Sequence, residues 1–304
     1  MKNPAANLWS VFWTWRRLRR YPGLFTLGDA ALQLDRVLLP ARFAQRTAAR
    51  ELARAARIRP ADEGAFEIEL LEHGLWFFWP REPDNNLWFL IEQEFDPRNP
   101  HYYTTPPIRL SAESLVLDVG ACEGLLALRA LKTGLARRVI CFEPWETMAA
   151  LLRRGARANG MEQQLAVEPL AVDRQSGCVV LQEGADAEAS SIHAPGESGR
   201  KVAAVSLDDY CRAAGLSLSR RDLIKIDAEG ADFAVLQGAE GLIRAGSPQI
   251  AVTTYHTDDH CFEIVDWLRR IQPRYRLRLK GFACWTQPPR PVLLQAALPD
   301  GSSG

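Results

Sequence analysis

The 304-residue chain is 47% apolar and 24% charged, a balance that supports a large buried core and excludes a disordered chain. Lys plus Arg and Asp plus Glu both number 37, so the formal net charge is zero and no global field draws the molecule onto nucleic acid. Six scattered cysteines with no Cys-x-x-Cys pair exclude a stapled secreted domain, and a basic cluster that follows the first apolar stretch is in the wrong order for a signal peptide. With no run of the roughly 18–20 apolar residues that span a membrane, a cytoplasmic protein is expected.

Residues 1–110 read as an N-terminal helical and hairpin extension. Trp9, Phe12, Trp13 and Trp15 precede Arg16, Arg17, Arg19 and Arg20. At helical spacing the aromatic residues form a packing stripe on the rest of the chain or on a second subunit, and the segment 8–25 is expected to cover one side of a ligand cleft. Contact with an anionic membrane surface is the other reading of this basic, aromatic segment. A helix is expected over 41–57, ended by Pro60. Residues 65–71 and 75–79 flank His73-Gly74 as a hairpin, and 86–94 reads as a short helix. Tyr103, in the block His101 to Pro107, stands just before the next strand and is expected to close over one end of a bound ligand.

From 111 to 298 strands alternate with helices, which predicts an α/β domain of Rossmann type with a seven-stranded, mostly parallel sheet covered on both faces. Strands are expected at 115–119, 138–142, 165–169, 222–226, 249–254, 274–279 and 291–296, the last two as a hairpin. Helices are expected at 123–133, 146–159, 206–214, 231–244 and 260–271. Strand-like pieces at 178–182 and 201–205 bracket a loop that holds Ser190, Ser191 and His193, which reads as a lid or acceptor-binding loop or as surface loop. Residues 299–304 read as a flexible tail.

Ligands of open α/β sheets bind at the carboxyl ends of the strands where strand order reverses, so the first strand-to-helix turn matters most. It reads Asp118-Val-Gly120-Ala121-Cys122-Glu-Gly124. Gly120 permits a tight turn and close approach of a ligand, Gly124 lets the helix start against the strand, and the N–H groups between them are expected to form a polar cradle. The spacing is not the Gly-x-Gly-x-x-Gly of a dinucleotide pyrophosphate site, which argues against a nicotinamide dehydrogenase and for an adenosine-bearing ligand without that group. The second strand ends in Glu143-Pro144-Trp145, where Glu143 is placed to accept hydrogen bonds from ribose hydroxyls and Trp145 to cover an adenine face. Asp118 is either an acceptor that pins the turn or a direct ligand. Ala171 and Val172, after the third strand, offer backbone groups to an adenine amino group.

Together with Val205-Ser-Leu207-Asp208-Asp209 and Asp222-Leu-Ile-Lys225-Ile-Asp227-Ala-Glu229-Gly230-Ala-Asp232, these motifs resemble the FkbM family of methyltransferases over about Ser111 to Leu298. Cys122 stands where the family usually has Asn, Ala228 where it has Val, and Thr254 where it has a Glu two residues before His256. The resemblance implies S-adenosyl-L-methionine as cofactor and, most often, O-methylation of a hydroxyl on a sugar or other natural product. A small-molecule, glycan or peptide acceptor follows, with N-methylation of an amide, amine or peptide side chain as the alternative. A non-catalytic binding protein that kept the fold is the reading from a different class, and a homo-oligomer is compatible with either.

Transfer of a methyl group to a neutral hydroxyl requires alignment and loss of a proton. Asp227 ends the fourth strand beside the expected methyl group. Lys225, two residues earlier on the same face, is expected to lower its pKa. Glu229 starts the following helix, and His256, with a pKa near neutrality, is a second candidate base. Lys225 and Glu229 are also readable as an internal ion pair and a helix cap. Asp227, Glu229, His256 and Asp258 supply oxygen and nitrogen ligands for a hard cation, but at a spacing so ordinary that no metal is expected.

Overall fold

The structure, a computed structural model, describes residues 9, 12, 16, 19, 21, 23–32, 41–182, 191–193, 199–283, 286 and 289–299. Trp13, Trp15, Arg17, Arg20, Ser190, the side chains of Ser191 and His193, and the tail 301–304 lie outside the described residues.

The main sheet is assembled from β4 (Leu115–Val119), β5 (Arg138–Phe142), β6 (Leu165–Glu168), β11 (Leu223–Ile226), β12 (Gln249–Thr253), β13 (Arg276–Ala283) and β14 (Arg290–Ala297). Its order is β13-β14-β12-β11-β4-β5-β6. The five strands from β12 to β6 run parallel, while β14 is antiparallel to both β12 and β13. This is a Rossmann-like architecture, a seven-stranded, mostly parallel sheet as expected. Strands β4, β11 and β12 are buried along their whole length, which explains their near-continuous apolar runs. Alternate residues go to opposite cores. Leu115, Leu117 and Val119 share one cluster with Ile224 and Ile226, whereas Val116 and Leu223 belong to the other. The chain runs outward from β4 through β5 and β6 and then returns to lay β11 on the opposite side of β4. The switch point therefore lies between β4 and β11, and a cleft opens at their carboxyl ends.

The helices α4 (Leu125–Lys132), α5 (Glu146–Ala158), α6 (Leu207–Ala213) and α9 (His260–Ile271) fall where periodicity places them. The expected helix over 231–244 is two helices, α7 (Asp232–Gln237) and α8 (Glu240–Gly246). Gly238 lies between them, and a Cβ there would stand 2.4 Å from the Asp173 carbonyl oxygen. Asp208 then caps α8, accepting from the N–H groups of Gly241 at 2.8 Å and Leu242 at 2.9 Å. The uncertain stretch after β6 forms a second sheet of order β7-β10-β8-β9, made of β7 (Ala171–Val172), β8 (Gly177–Gln182), β9 (Ser191–His193) and β10 (Arg200–Val205).

Ahead of these elements come α1 (Leu27–Ala31), α2 (Ala41–Ala55), β1 (Ala56–Pro60), β2 (Phe66–Leu70), β3 (Leu75–Trp79) and α3 (Asn86–Phe95). The helix expected to reach residue 57 stops at Ala55, and the chain continues as β1, paired antiparallel with β2. Arg57–Glu69 and Arg59–Glu67 ion pairs cross that pairing, so the strand owes its existence to a partner rather than to its own helix-favouring composition. Phe77, Trp79, Leu87 and Ile91 share a buried cluster with Leu125 and Leu128 of α4. Asn159, at the end of α5, accepts from the Trp76 N–H and donates to its carbonyl. Tyr21, Leu24 and Phe25 pack elsewhere. They meet Phe262 of α9 and Phe282 of β13, so this part of the 8–25 segment covers the distant edge of the sheet instead of the cleft. No helix among the described residues is long and apolar enough to cross a membrane.

Candidate active site

The cleft at the switch point is open to solvent. One wall is the turn after β4, where Gly120, Cys122 and Gly124 take left-handed φ values of 69°, 48° and 78°. Gly120 and Ala121 donate their N–H groups to the Phe142 carbonyl, and Cys122 donates to Glu143 Oε2 at 2.9 Å. The expected polar cradle is therefore consumed within the protein, and its N–H groups tie β4 to β5. Close approach at Gly120 is likewise internal: a Cβ there would lie 1.9 Å from the Asp227 carbonyl oxygen. At Gly124 the tight neighbour is Leu152 of α5, so this glycine serves helix packing and is absent from the cleft wall.

Glu143 is buried, and its second carboxylate oxygen accepts from the Trp145 N–H at 2.9 Å. Burial pushes its pKa up to about 7, against the pull of these two N–H groups and Lys225. The carboxylate staples the two turns together and still faces the cleft, where Ala121, Cys122, Pro144, Trp145, Ala171 and Val172 also line the wall. Trp145 rests partly on the cluster of Met148, Leu151 and Phe78.

Strand register sets Lys225 beside Asp118. Both are buried, with Nζ 2.9 Å from Oδ1. Lys225 also donates to the carbonyls of Gly120 at 2.6 Å and Val119 at 3.3 Å. Burial opposes its charge, but Asp118 and then Asp227 outweigh burial and raise its pKa. The ammonium thus points at Asp118 and the turn, without a direct bond to Asp227, and its geometry is that of a clamp. Asp118 Oδ2 is buried with no hydrogen-bond partner among the described residues, as is Glu94 Oε2. Glu94 projects from α3 into the same end of the cleft; burial pushes its pKa up to about 7, with Arg129, 3.6 Å away, pulling it back. Glu123, also buried there, has a pKa raised by burial. Three acidic side chains, Asp118, Glu94 and Glu123, face two cations, Lys225 and Arg129, so this end holds one acidic group in excess.

The opposite wall comes from the ends of β11 and β12. Tyr103 donates its hydroxyl to Asp227 Oδ2 at 2.7 Å, and Thr253 donates to Asp227 Oδ1 at 3.0 Å. His256 stands behind, outside the cleft lining, with Nδ1 2.9 Å from Asp232 Oδ2 and Nε2 3.5 Å from Asp227 Oδ1 and 3.4 Å from Glu229 Oε2. Burial works against the imidazolium, but Asp232 outweighs it with help from Asp227 and Glu229, so the pKa is pushed up to about 9. That differs from the near-neutral value expected of a free base. Asp258 pairs with Arg290 at the surface and is not part of this group. Thr254, in the position of the family's usual Glu, is buried and donates to the Pro291 carbonyl.

A family model described as "Methyltransferase FkbM domain" matches residues 118–277, from the end of β4 to the start of β13. The chain belongs to the FkbM methyltransferase family. Among solved structures this FkbM protein is similar to methyltransferase FkbM from Methylobacillus flagellatus KT, with 19% identity and a TM-score of 0.49 over 64% of this chain and 46% of that one. It thus spans about half the length of that relative. It is also similar to an O-methyltransferase from Bacillus cereus in complex with SAH (15% identity, TM-score 0.37, covering 61% of this chain and 74% of that one). A third similar structure is M. capricolum TrmK with S-adenosyl-homocysteine (8% identity, TM-score 0.39, 62% and 63% covered).

Four residues that join this FkbM site were given no role from the sequence: Glu94, Glu123, Thr253 and Asp232, the last of which closes the family motif. Asp232 alone carried a signal, as a carboxylate at the first position of a helix. It accepts from the N–H groups of Ala228 at 2.8 Å and Gly230 at 3.1 Å, and its Oδ1 lies 3.0 Å from the Thr253 hydroxyl, whose one proton is shared between this carboxylate and Asp227. Asp222 of the same motif is structural, receiving the N–H of Leu115 at 2.7 Å and that of Ser219 at 2.7 Å.

Proposed function

We propose that this FkbM-family protein is an S-adenosyl-L-methionine-dependent methyltransferase acting on a hydroxyl of a sugar or other biosynthetic intermediate. The observation that carries the cofactor reading is the acid-rich cleft, with Glu143 at one end and, at the other, Asp118 Oδ2 and Glu94 Oε2, which have no hydrogen-bond partner among the described residues. Such a cleft suits a ligand with two ribose hydroxyls and an ammonium group. When bound, the cofactor supplies a methyl group on a positively charged sulfur. Glu143 accepts the ribose hydroxyls, Asp118 and Glu94 receive the ammonium, and backbone groups at Ala171 and Val172 read the adenine edge. Asp227, anchored by Tyr103 and Thr253, orients the acceptor hydroxyl, whose proton leaves at the Asp227–Glu229–His256 cluster. Ready access to a proton acceptor is needed by an alcohol more than by an amine, and this favours O-methylation.

Calorimetry with S-adenosylmethionine tests the cofactor. Glu143→Ala is expected to weaken binding by about 1–3 kcal/mol through loss of charge-assisted hydrogen bonds; unchanged affinity refutes the assignment of Glu143. Transfer of labelled methyl to a panel of polyols and amines tests the acceptor, and methylated amines alone would overturn the O-methylation reading.

A further inference from the structure

Behind the cleft wall formed by Asp227 and Glu229 stands His256, and the three bring two carboxylate oxygens and an imidazole nitrogen within 4.8 Å of one another. The imidazole carries the argument. Its side chain is 8% exposed, and Nδ1 is fixed on Asp232, whose side chain is fully buried. Nε2 is buried with no hydrogen-bond partner among the described residues and is aimed between Asp227 Oδ1 at 3.5 Å and Glu229 Oε2 at 3.4 Å. Those separations are long for N–H···O bonds, which cluster near about 2.9 Å. They suit donors around one cation, since atoms bound at about 2.1 Å to one metal stand roughly 3.0–3.5 Å apart at angles of about 90–110°. A carboxylate on the far ring nitrogen is also the usual support of a metal-binding histidine, since it fixes the tautomer and turns the lone pair toward the ion.

We infer that Asp227, Glu229 and His256 bind a divalent cation of the Mn2+ type, with Asp232 as the positioning residue. One nitrogen and two carboxylates form a mixed donor set for such an ion. Asp227 and Glu229 line the cleft, so the remaining coordination positions face it. This site goes beyond the proposed function and does not depend on it. If both hold, the open positions take oxygen atoms of the acceptor and fix them beside the methyl donor.

The full chain, stripped with a chelator and titrated with Mn2+ alone, tests the site by electron paramagnetic resonance. One ion per chain is expected, with hyperfine coupling to a single imidazole nitrogen. His256→Gln and Glu229→Gln should each weaken binding about tenfold or more, as should Asp232→Asn through loss of support to the ring, with circular dichroism reporting the fold. Wild-type protein that leaves Mn2+ unbound at about 1 mM, bound Mn2+ without nitrogen coupling, or folded variants of wild-type affinity would each overturn the inference. S-adenosylmethionine calorimetry in chelator separates the two proposals. Mn2+ binding without cofactor binding supports this site and defeats the function, and cofactor binding without Mn2+ defeats this site alone.

Discussion

Replacing Gly120 by alanine probes the contact on which the cleft is built. The added Cβ would stand 1.9 Å from the Asp227 carbonyl oxygen and 2.9 Å from its carbon, at a φ of 69°. Both neighbours are backbone, so no side chain can swing aside, and the turns after β4 and β11 must part by about 1.5 Å to restore contact distance. The left-handed conformation costs an alanine about 1–2 kcal/mol. Parting the turns also strains the bond from the Asp227 N–H to the Val119 carbonyl and the one from Lys225 to the Gly120 carbonyl, each worth about 1 kcal/mol. A total loss of about 3–5 kcal/mol is expected. Gly134→Ala is the control, because Gly134 has a φ of 68° and nothing within 4 Å of the added atom, leaving only the conformational cost. Urea denaturation of both variants measures the difference. If Gly120→Ala loses no more stability than Gly134→Ala, the close approach of the two turns does not exist as described.

Three further outcomes follow from the same geometry. Lys225→Met leaves Asp118 buried without its cation and should destabilise the protein by about 3–5 kcal/mol; adding Asp118→Asn should recover part of that, and failure to recover any in denaturation experiments would show that the two are not a pair. Glu94 and Glu143 have folded-state pKa values raised to about 7 from 4.5. The folded state therefore binds more protons between those values, and stability contributed by these groups is present below about pH 4.5 and lost as pH rises through 7. Glu94→Gln and Glu143→Gln should flatten that decline in denaturation midpoints measured across the range; an unchanged slope counts against the burial argument. Cofactor affinity should run the opposite way, rising with pH through about 7 as Glu143 ionises, and calorimetry across the range checks it. Tyr103→Phe removes one hydrogen bond to a carboxylate and should cost about 1–3 kcal/mol of stability, with a native circular dichroism spectrum; no measurable loss would mean that Tyr103 does not hold Asp227.

Much of the fold was written locally. The alternation of strand and helix from 115 onward, the ends of β4 and β5, and the helices α5 and α9 follow from apolar periodicity and turn residues, which act over a few neighbours. β1 escaped because its residues favour a helix until β2 supplies hydrogen-bond partners. The break at Gly238 escaped because what packs against it, the Asp173 carbonyl and the Asp208 N–H, is distant in sequence. The second sheet was visible only as fragments, since pairing Arg200–Val205 with Ala171–Val172 and Gly177–Gln182 joins segments across long connections.

The same division runs through the cleft. Sequence by itself determined the family, the glycine turn, and the presence of Glu143, Lys225, Asp227 and His256 at strand ends, because motif spacing and strand position are local properties. Only the tertiary structure decided what those groups face. It turned Lys225 onto Asp118, consumed the turn's N–H groups in internal bonds, brought Glu94 in from α3, and fixed His256 on Asp232 with its other nitrogen toward two carboxylates. Partners and burial come from register and packing between segments far apart in the chain, and it is these that set the charge of each group.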